Sequence, residues 1–198
     1  MTLDLTKRGV ALVTESGAPI STLEIEFAWI EPTKGGLMGK FGGGGVDVDA
    51  TAIYYTSTEP TGYVSPDNLQ ALSGSMRHHG NVKKGKGEGS GERITINLAS
   101  IRTEDSDVEA FALVASCKKG NFDKVSEAVC RIYDAGSDAS PNHLGNVRVP
   151  IEGAHTGVVI GTISRTPTGW TFSKADKVRG AARDWRGLGT LAKTELGY

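Results

Sequence analysis

Apolar and polar residues alternate most cleanly at Leu23, Ile25, Phe27 and Trp29, which are interleaved with Glu24, Glu26 and Ala28. A period of two is that of a strand with one face buried and one in water. Similar short runs recur at Ala50 to Tyr55, Ile94 to Leu98, Val108 to Ser116, Val129 to Tyr133, Val147 to Ile151, Val158 to Ile163 and Trp170 to Phe172. Turn residues separate these runs, the pattern of an antiparallel sandwich or barrel.

Two segments break the alternation. Phe122 to Ala128 predicts a short helical turn. Val178, Ala181, Ala182, Trp185 and Leu188 are spaced at three and four, which predicts a C-terminal helix with Trp185 in the middle of an apolar stripe. Such a helix can close over an open end or face of the sheets, although Gly180 and Gly187 weaken it locally. The expected fold class is therefore mainly β, an antiparallel β-sandwich with a C-terminal α-helix, in a single domain over 1–198. The glycine-dense stretch Gly35 to Gly45 reads as a loop inside that domain, and Asp134 to Gly145 as a second irregular stretch.

Composition narrows the function classes. The chain has 198 residues, 22 Lys and Arg against 23 Asp and Glu, and a net charge of -1, so no overall polycation points to nucleic acid. Cys117 and Cys130 each lie in an apolar stretch, which fits reduced core thiols in a cytoplasmic protein better than a disulfide framework. The start, Met1 to Arg8, lacks the order of a signal peptide, and no apolar run is long enough to insert in a membrane.

Candidate chemistry is sparse. No phosphate-binding loop ending in Gly-Lys-Ser/Thr and no Gly-x-Ser-x-Gly elbow appears, so nothing supports an enzyme. His78-His79 resembles half a zinc site, but the cysteines are not at ligand spacing and the histidines read as surface or turn residues. Asp47 and Asp49 stand two apart at the start of a strand, where hard cations such as Ca²⁺ find paired oxygens. The loop from His79 to Glu92 carries five glycines and can fold its backbone around an ion, because glycine tolerates positive φ and close approach.

Together these residues resemble the TerD family of bacterial tellurite-resistance and stress-response proteins. Leu3 to Gly9 is similar to the family's opening strand, Phe27-Ala28-Trp29 to a strand end, and Asp47-Val48-Asp49-Ala50-Thr51-Ala52 to its paired-aspartate motif. Ser75 to Asn81 followed by the glycine loop resembles the family's histidine-containing segment and acidic loop, and Phe122 to Val125 and Gly169 to Phe172 match further landmarks. The resemblance implies a non-catalytic sandwich that binds Ca²⁺, with Asp47, Asp49, Asp67, Asn68, Asn81, Glu88 and Glu92 as candidate ligands.

The loop departs from that pattern in charge. Arg77 to Arg93 holds five cations (Arg77, Lys83, Lys84, Lys86, Arg93) and two anions (Glu88, Glu92), a balance of +3. The missing carboxylates and added lysines predict a weakened, millimolar calcium site. Two functions fit: a calcium-binding protein of the tellurite-resistance and stress response, or a structural or interaction subunit of a larger assembly such as a phage particle. Either works through protein partners or a homo-oligomer rather than nucleic acid, since a positive loop can dock on an acidic protein surface.

Overall fold

The structure, a computed structural model, describes residues 2–30, 46–82, 91–136, 140–176 and 178–198. In chain order its elements are β1 (Val10–Ala11), β2 (Thr22–Ile30), β3 (Asp47–Tyr55), β4 (Pro60–Val64), β5 (Gln70–Ala71), β6 (Met76–His78), β7 (Glu92–Asn97), α1 (Leu98–Glu104), β8 (Ala110–Lys119), β9 (Glu127–Asp134), β10 (Asn142–Arg148), β11 (Gly157–Thr166), β12 (Gly169–Lys174), β13 (Arg179–Gly180) and α2 (Trp185–Leu196). One sheet runs β1-β12-β11-β8-β3-β4, with β13 also paired to β11, and the other runs β10-β9-β2-β7-β6-β5. All these pairings are antiparallel.

Strand alternation sorts side chains into two apolar layers. Leu23, Ile25, Phe27 and Trp29 of β2 meet Val48, Ala50 and Ala52 of β3 in the core between the sheets. The residues of opposite parity, Ile53 and Tyr55 with Ala112, Val114 and Val159, form a second layer on the outer face of the first sheet, under Leu188 and Ala192 of α2. This explains why β8 is an unbroken apolar run from Ala110 to Ala115: both its faces are covered. Cys117 and Cys130 are buried free thiols, and burial pushes both up to about 12.

Several boundaries differ from the sequence reading. The C-terminal helix begins at Trp185, not Val178, because the preceding backbone completes the sheet: Val159 donates to the Val178 carbonyl at 2.9 Å and Thr156 to that of Gly180 at 3.0 Å. Asp184 then caps the helix by accepting from the Gly187 amide at 3.0 Å. Residues 2–9 form no strand; the Asp4 carboxylate binds both the backbone and hydroxyl of Thr6, a local turn that competes with sheet pairing. Of Phe122 to Ala128, only Phe122–Lys124 is a 3-10 turn, and β9 has begun by Glu127.

The strand expected at Val147 to Ile151 starts earlier, at Asn142, inside the stretch read as irregular. There the N-terminal segment crosses it closely. Leu3 donates to the Leu144 carbonyl at 2.6 Å, and a Cβ on Gly145 would meet the Leu3 carbonyl oxygen at 2.9 Å. The glycine-dense stretch Gly35 to Gly45 lies outside the described residues.

Candidate functional site

The paired aspartates lie on the outer face of the first sheet, where α2 leaves the start of β3 uncovered. Asp47 and Asp49 share the parity of Ile53 and Tyr55, so both carboxylates leave β3 on the helix side. Opposite them the β8 register slips: Lys119 pairs with Asp47 but Cys117 with Val48, leaving Lys118 as the extra residue of a bulge. A bulge re-aims a side chain. Here it brings the Lys118 ammonium to 3.2 Å from Asp49 Oδ2 while hydrogen-bonding Asp67 Oδ2.

Asp67 arrives from a tight turn after β4. Ser65 and Asn68 exchange backbone hydrogen bonds at 3.0 Å, the Asp67 amide donates to Ser65 Oγ at 3.1 Å, and Asn68 Nδ2 donates to the Tyr63 carbonyl at 2.7 Å. Asn68 thus holds the turn that presents Asp67. Asp49, Thr51, Ser65, Asp67, Ser116 and Lys118 line a cleft of about 240 Å³ with Trp185 on its wall. Trp185 stacks on Tyr63 with ring centroids 4.8 Å apart.

Asp49 is the most strained electrostatic element of the cleft. It is 2% exposed, and among the described residues neither carboxylate oxygen has a hydrogen-bond partner. Lys118 is near enough to attract its charge but is not aligned to donate. Burial, the charge of Glu92 and that of Asp47 push the carboxyl up to about 6, against the pull of Lys118. For Lys118 itself burial opposes the charge, yet the bond to Asp67 and the charge of Asp49 outweigh it and hold the ammonium above its ordinary value.

Glu92 has a different setting, on the inner face of the second sheet with Ile94 and Ile96. Before Ala52 the edge of β3 is not paired with β4, and Glu92 caps it: Oε2 accepts from the Ala50 amide at 2.7 Å and Oε1 from Val82 at 3.3 Å. His78 is buried beside it, its Nε2 3.4 Å from Glu92 Oε2. Because His78 Nδ1 accepts from the Gly80 amide at 3.0 Å, the neutral ring carries its proton on Nε2, facing Glu92. His78 is therefore no surface residue, whereas His79 is exposed and bonded to Thr95 at 2.8 Å.

Of the sequence candidates, Asp49 and Asp67 are brought together through Lys118, Asp47 stands beside Asp49, and Glu92 is close enough to influence Asp49 electrostatically. Asn81 is exposed, and Glu88 lies outside the described residues along with Lys83, Lys84, Lys86 and Ser90. Lys118, His78 and the hydroxyls of Thr51, Ser65 and Ser116 were not legible as site residues. Only Ser116 carried a signal, as the one hydroxyl in an otherwise apolar stretch, and the register places it opposite Asp49.

The oxygen donors suit a hard divalent cation: the buried Asp49 carboxylate, which lacks hydrogen bonds among the described residues, and Asp67 would hold it, with hydroxyls and water completing the shell. The set is poor in charge. Among the described residues no cluster of three or more His, Cys, Asp or Glu side chains is arranged to hold a metal. No helix among them is long and apolar enough to cross a membrane.

Two antiparallel sheets, an outer helix and a paired-aspartate strand define a class that the sequence comparisons specify. The TerD domain matches residues 1–191, and the chain belongs to the TerD family. It is 27% identical over 175 residues to tellurium resistance protein TerZ of Serratia marcescens, covering 86% of this chain and 87% of that protein. General stress protein 16U of Bacillus subtilis (strain 168) is 22% identical over 191 residues, covering 87% and 89%. The fold is also that of a TerD homologue from Streptomyces coelicolor A3(2), with a TM-score of 0.61 at 16% identity over 90% of this chain and 98% of that one. A crystal structure of a protein of unknown function matches with a TM-score of 0.65 at 18% identity, over 86% and 97%.

Proposed function

We infer that this chain acts in the cytoplasm by binding rather than catalysis, as a weakly calcium-binding member of the tellurium-resistance and general stress group to which its relatives' names point. The observation that carries this reading is the Asp49 carboxylate, 2% exposed and without a hydrogen bond to either oxygen among the described residues, its charge faced by the Lys118 ammonium 3.2 Å from Oδ2. A buried carboxylate without hydrogen bonds costs stability unless a cation compensates it. With Lys118, Asp67 and neutral hydroxyls as its neighbours, the site belongs to the millimolar class.

Thermal melting in millimolar CaCl₂ and in chelator tests the reading, because a ligand bound only by the folded state must raise its melting temperature. An increase that Asp49→Asn abolishes supports it. No increase overturns it in favour of a metal-independent module of a larger assembly, a second reading supported by the Lys118 ammonium already lying between Asp49 and Asp67.

A further inference from the structure

The position between Asp49 and Asp67 is reached by a positive charge that belongs to the chain. Lys118 extends from the β8 bulge, its ammonium 3.2 Å from Asp49 Oδ2 and hydrogen-bonded to Asp67 Oδ2, while its side chain stays 41% exposed. Around the same cleft the buried residues Thr51, Ser65 and Ser116 carry hydroxyl oxygens. Hard oxygens lining one small cleft are what a divalent cation takes as ligands. An ammonium matches them less well: it offers three directed donors, and the two oxygens of Asp49 remain without a hydrogen bond among the described residues.

The charge balance is also incomplete. One ammonium faces Asp49 and Asp67 directly, while the other cation lining the cleft, Arg183, donates to the Cys117 and Gly120 carbonyls, and Asp184, Asp47 and Glu92 add further negative charge. A divalent ion supplies twice the neutralisation, but it cannot share the position with Lys118, because two like charges within a few ångströms repel strongly in a partly buried site. The flexible four-carbon stem lets the ammonium turn out to water without moving β8.

We propose that Lys118 is a tethered occupant of the cation position, and that a divalent cation binds this cleft only by displacing it. The inference rests on the reading that the cleft takes a divalent cation, and it makes Lys118 the residue that sets affinity. The apparent affinity is the intrinsic one reduced by the fraction of molecules whose lysine is turned out. Binding therefore operates as cation exchange at the Asp49 and Asp67 carboxylates.

Calorimetric titration of the full chain with CaCl₂ tests this in the wild type, Lys118→Met and Lys118→Arg. Methionine keeps an apolar stem and removes the charge, while arginine keeps the charge. The expected result is an apparent Kd at least tenfold tighter for Lys118→Met and no gain for Lys118→Arg. Terbium luminescence sensitised by Trp185, which lines the cleft, locates the ion there. Should Lys118→Met fail to fold in chelator, Lys118→Gln takes its place.

Wild type and Lys118→Met binding equally tightly overturns the displacement while leaving the calcium reading intact. Binding by Lys118→Met alone supports Lys118 as the occupant and removes calcium from the native function. Silence in both, or a gain that survives the additional change Asp49→Asn, overturns the proposal.

Discussion

The Ala50 amide donates to Glu92 Oε2 across the sandwich at 2.7 Å, tying the open edge of β3 to β7 of the opposite sheet. With Val82 held by the other oxygen at 3.3 Å, one carboxylate satisfies two backbone donors that strand pairing leaves over. Glu92→Ala is expected to cost about 2–4 kcal/mol in urea unfolding, since hydrogen bonds to a charged acceptor are lost and buried amides stranded. The loss should be the same in chelator and in calcium. Glu92→Gln keeps one acceptor oxygen and should lose less. A loss confined to calcium-containing buffer would mean that Glu92 stabilises through an ion rather than through these amides.

Asp49 gives the chain a pH dependence of definite sign. Its carboxyl is raised from 3.8 to about 6 in the folded state, so the folded protein holds the proton more tightly than the unfolded chain. Stability from this group is highest below the unfolded value and falls as pH rises through the window from 3.8 to about 6. Asp49→Asn removes the titration. In chelator the variant should be more stable than the wild type at pH 7, by on the order of 1–3 kcal/mol, and the difference should shrink toward pH 4. A difference independent of pH would show that Asp49 does not titrate in that window.

The alternating strands were legible because both sheets keep one face in a shared core, as Leu23 to Trp29 of β2 shows. The bulge at Lys118 was not, because the extra residue exists only relative to a partner strand far away in sequence. His78 looked like a turn histidine for a related reason: its burial follows from β6 lying between β5 and β7, and β5 and β6, of two and three residues, are too short to be read locally. Helix α1 hid behind the strand pattern of Ile94 to Leu98, although Asn97 caps it by accepting from Ser100 at 2.9 Å and Leu98 and Ile101 bury its inner side. Asp49 was readable as a candidate, but its isolation from hydrogen bonds depends on tertiary burial.

Gly189 inverts an ordinary helix rule. Alanine normally stabilises a helix interior over glycine by about 1 kcal/mol. Here Tyr55 donates its hydroxyl to the Gly189 carbonyl at 2.8 Å, and an added Cβ would lie 2.7 Å from Pro60 Cβ. Gly189→Ala should therefore destabilise, by about 1–3 kcal/mol, as α2 is pushed off the sheet. An increase in melting temperature would show that α2 accommodates the methyl by shifting.

The burden of docking α2 falls on Leu188 and Ala192 rather than Trp185. Leu188 is 1% exposed in the layer over Ile53 and Tyr55, whereas Trp185 is only half-buried in the first helical turn, stacked on Tyr63. Leu188→Ala should cost about 2–5 kcal/mol. Trp185→Ala should cost less, nearer the 0.5–1.5 kcal/mol of an aromatic pair plus modest burial. Removing residues 184–198 altogether exposes the Ile53, Tyr55, Ala112, Val114 and Val159 surface, an apolar patch on a rigid sheet that is expected to drive aggregation. Equal melting temperatures for Leu188→Ala and wild type, or a truncated chain that stays monomeric by light scattering, would show that α2 is not what seals this face.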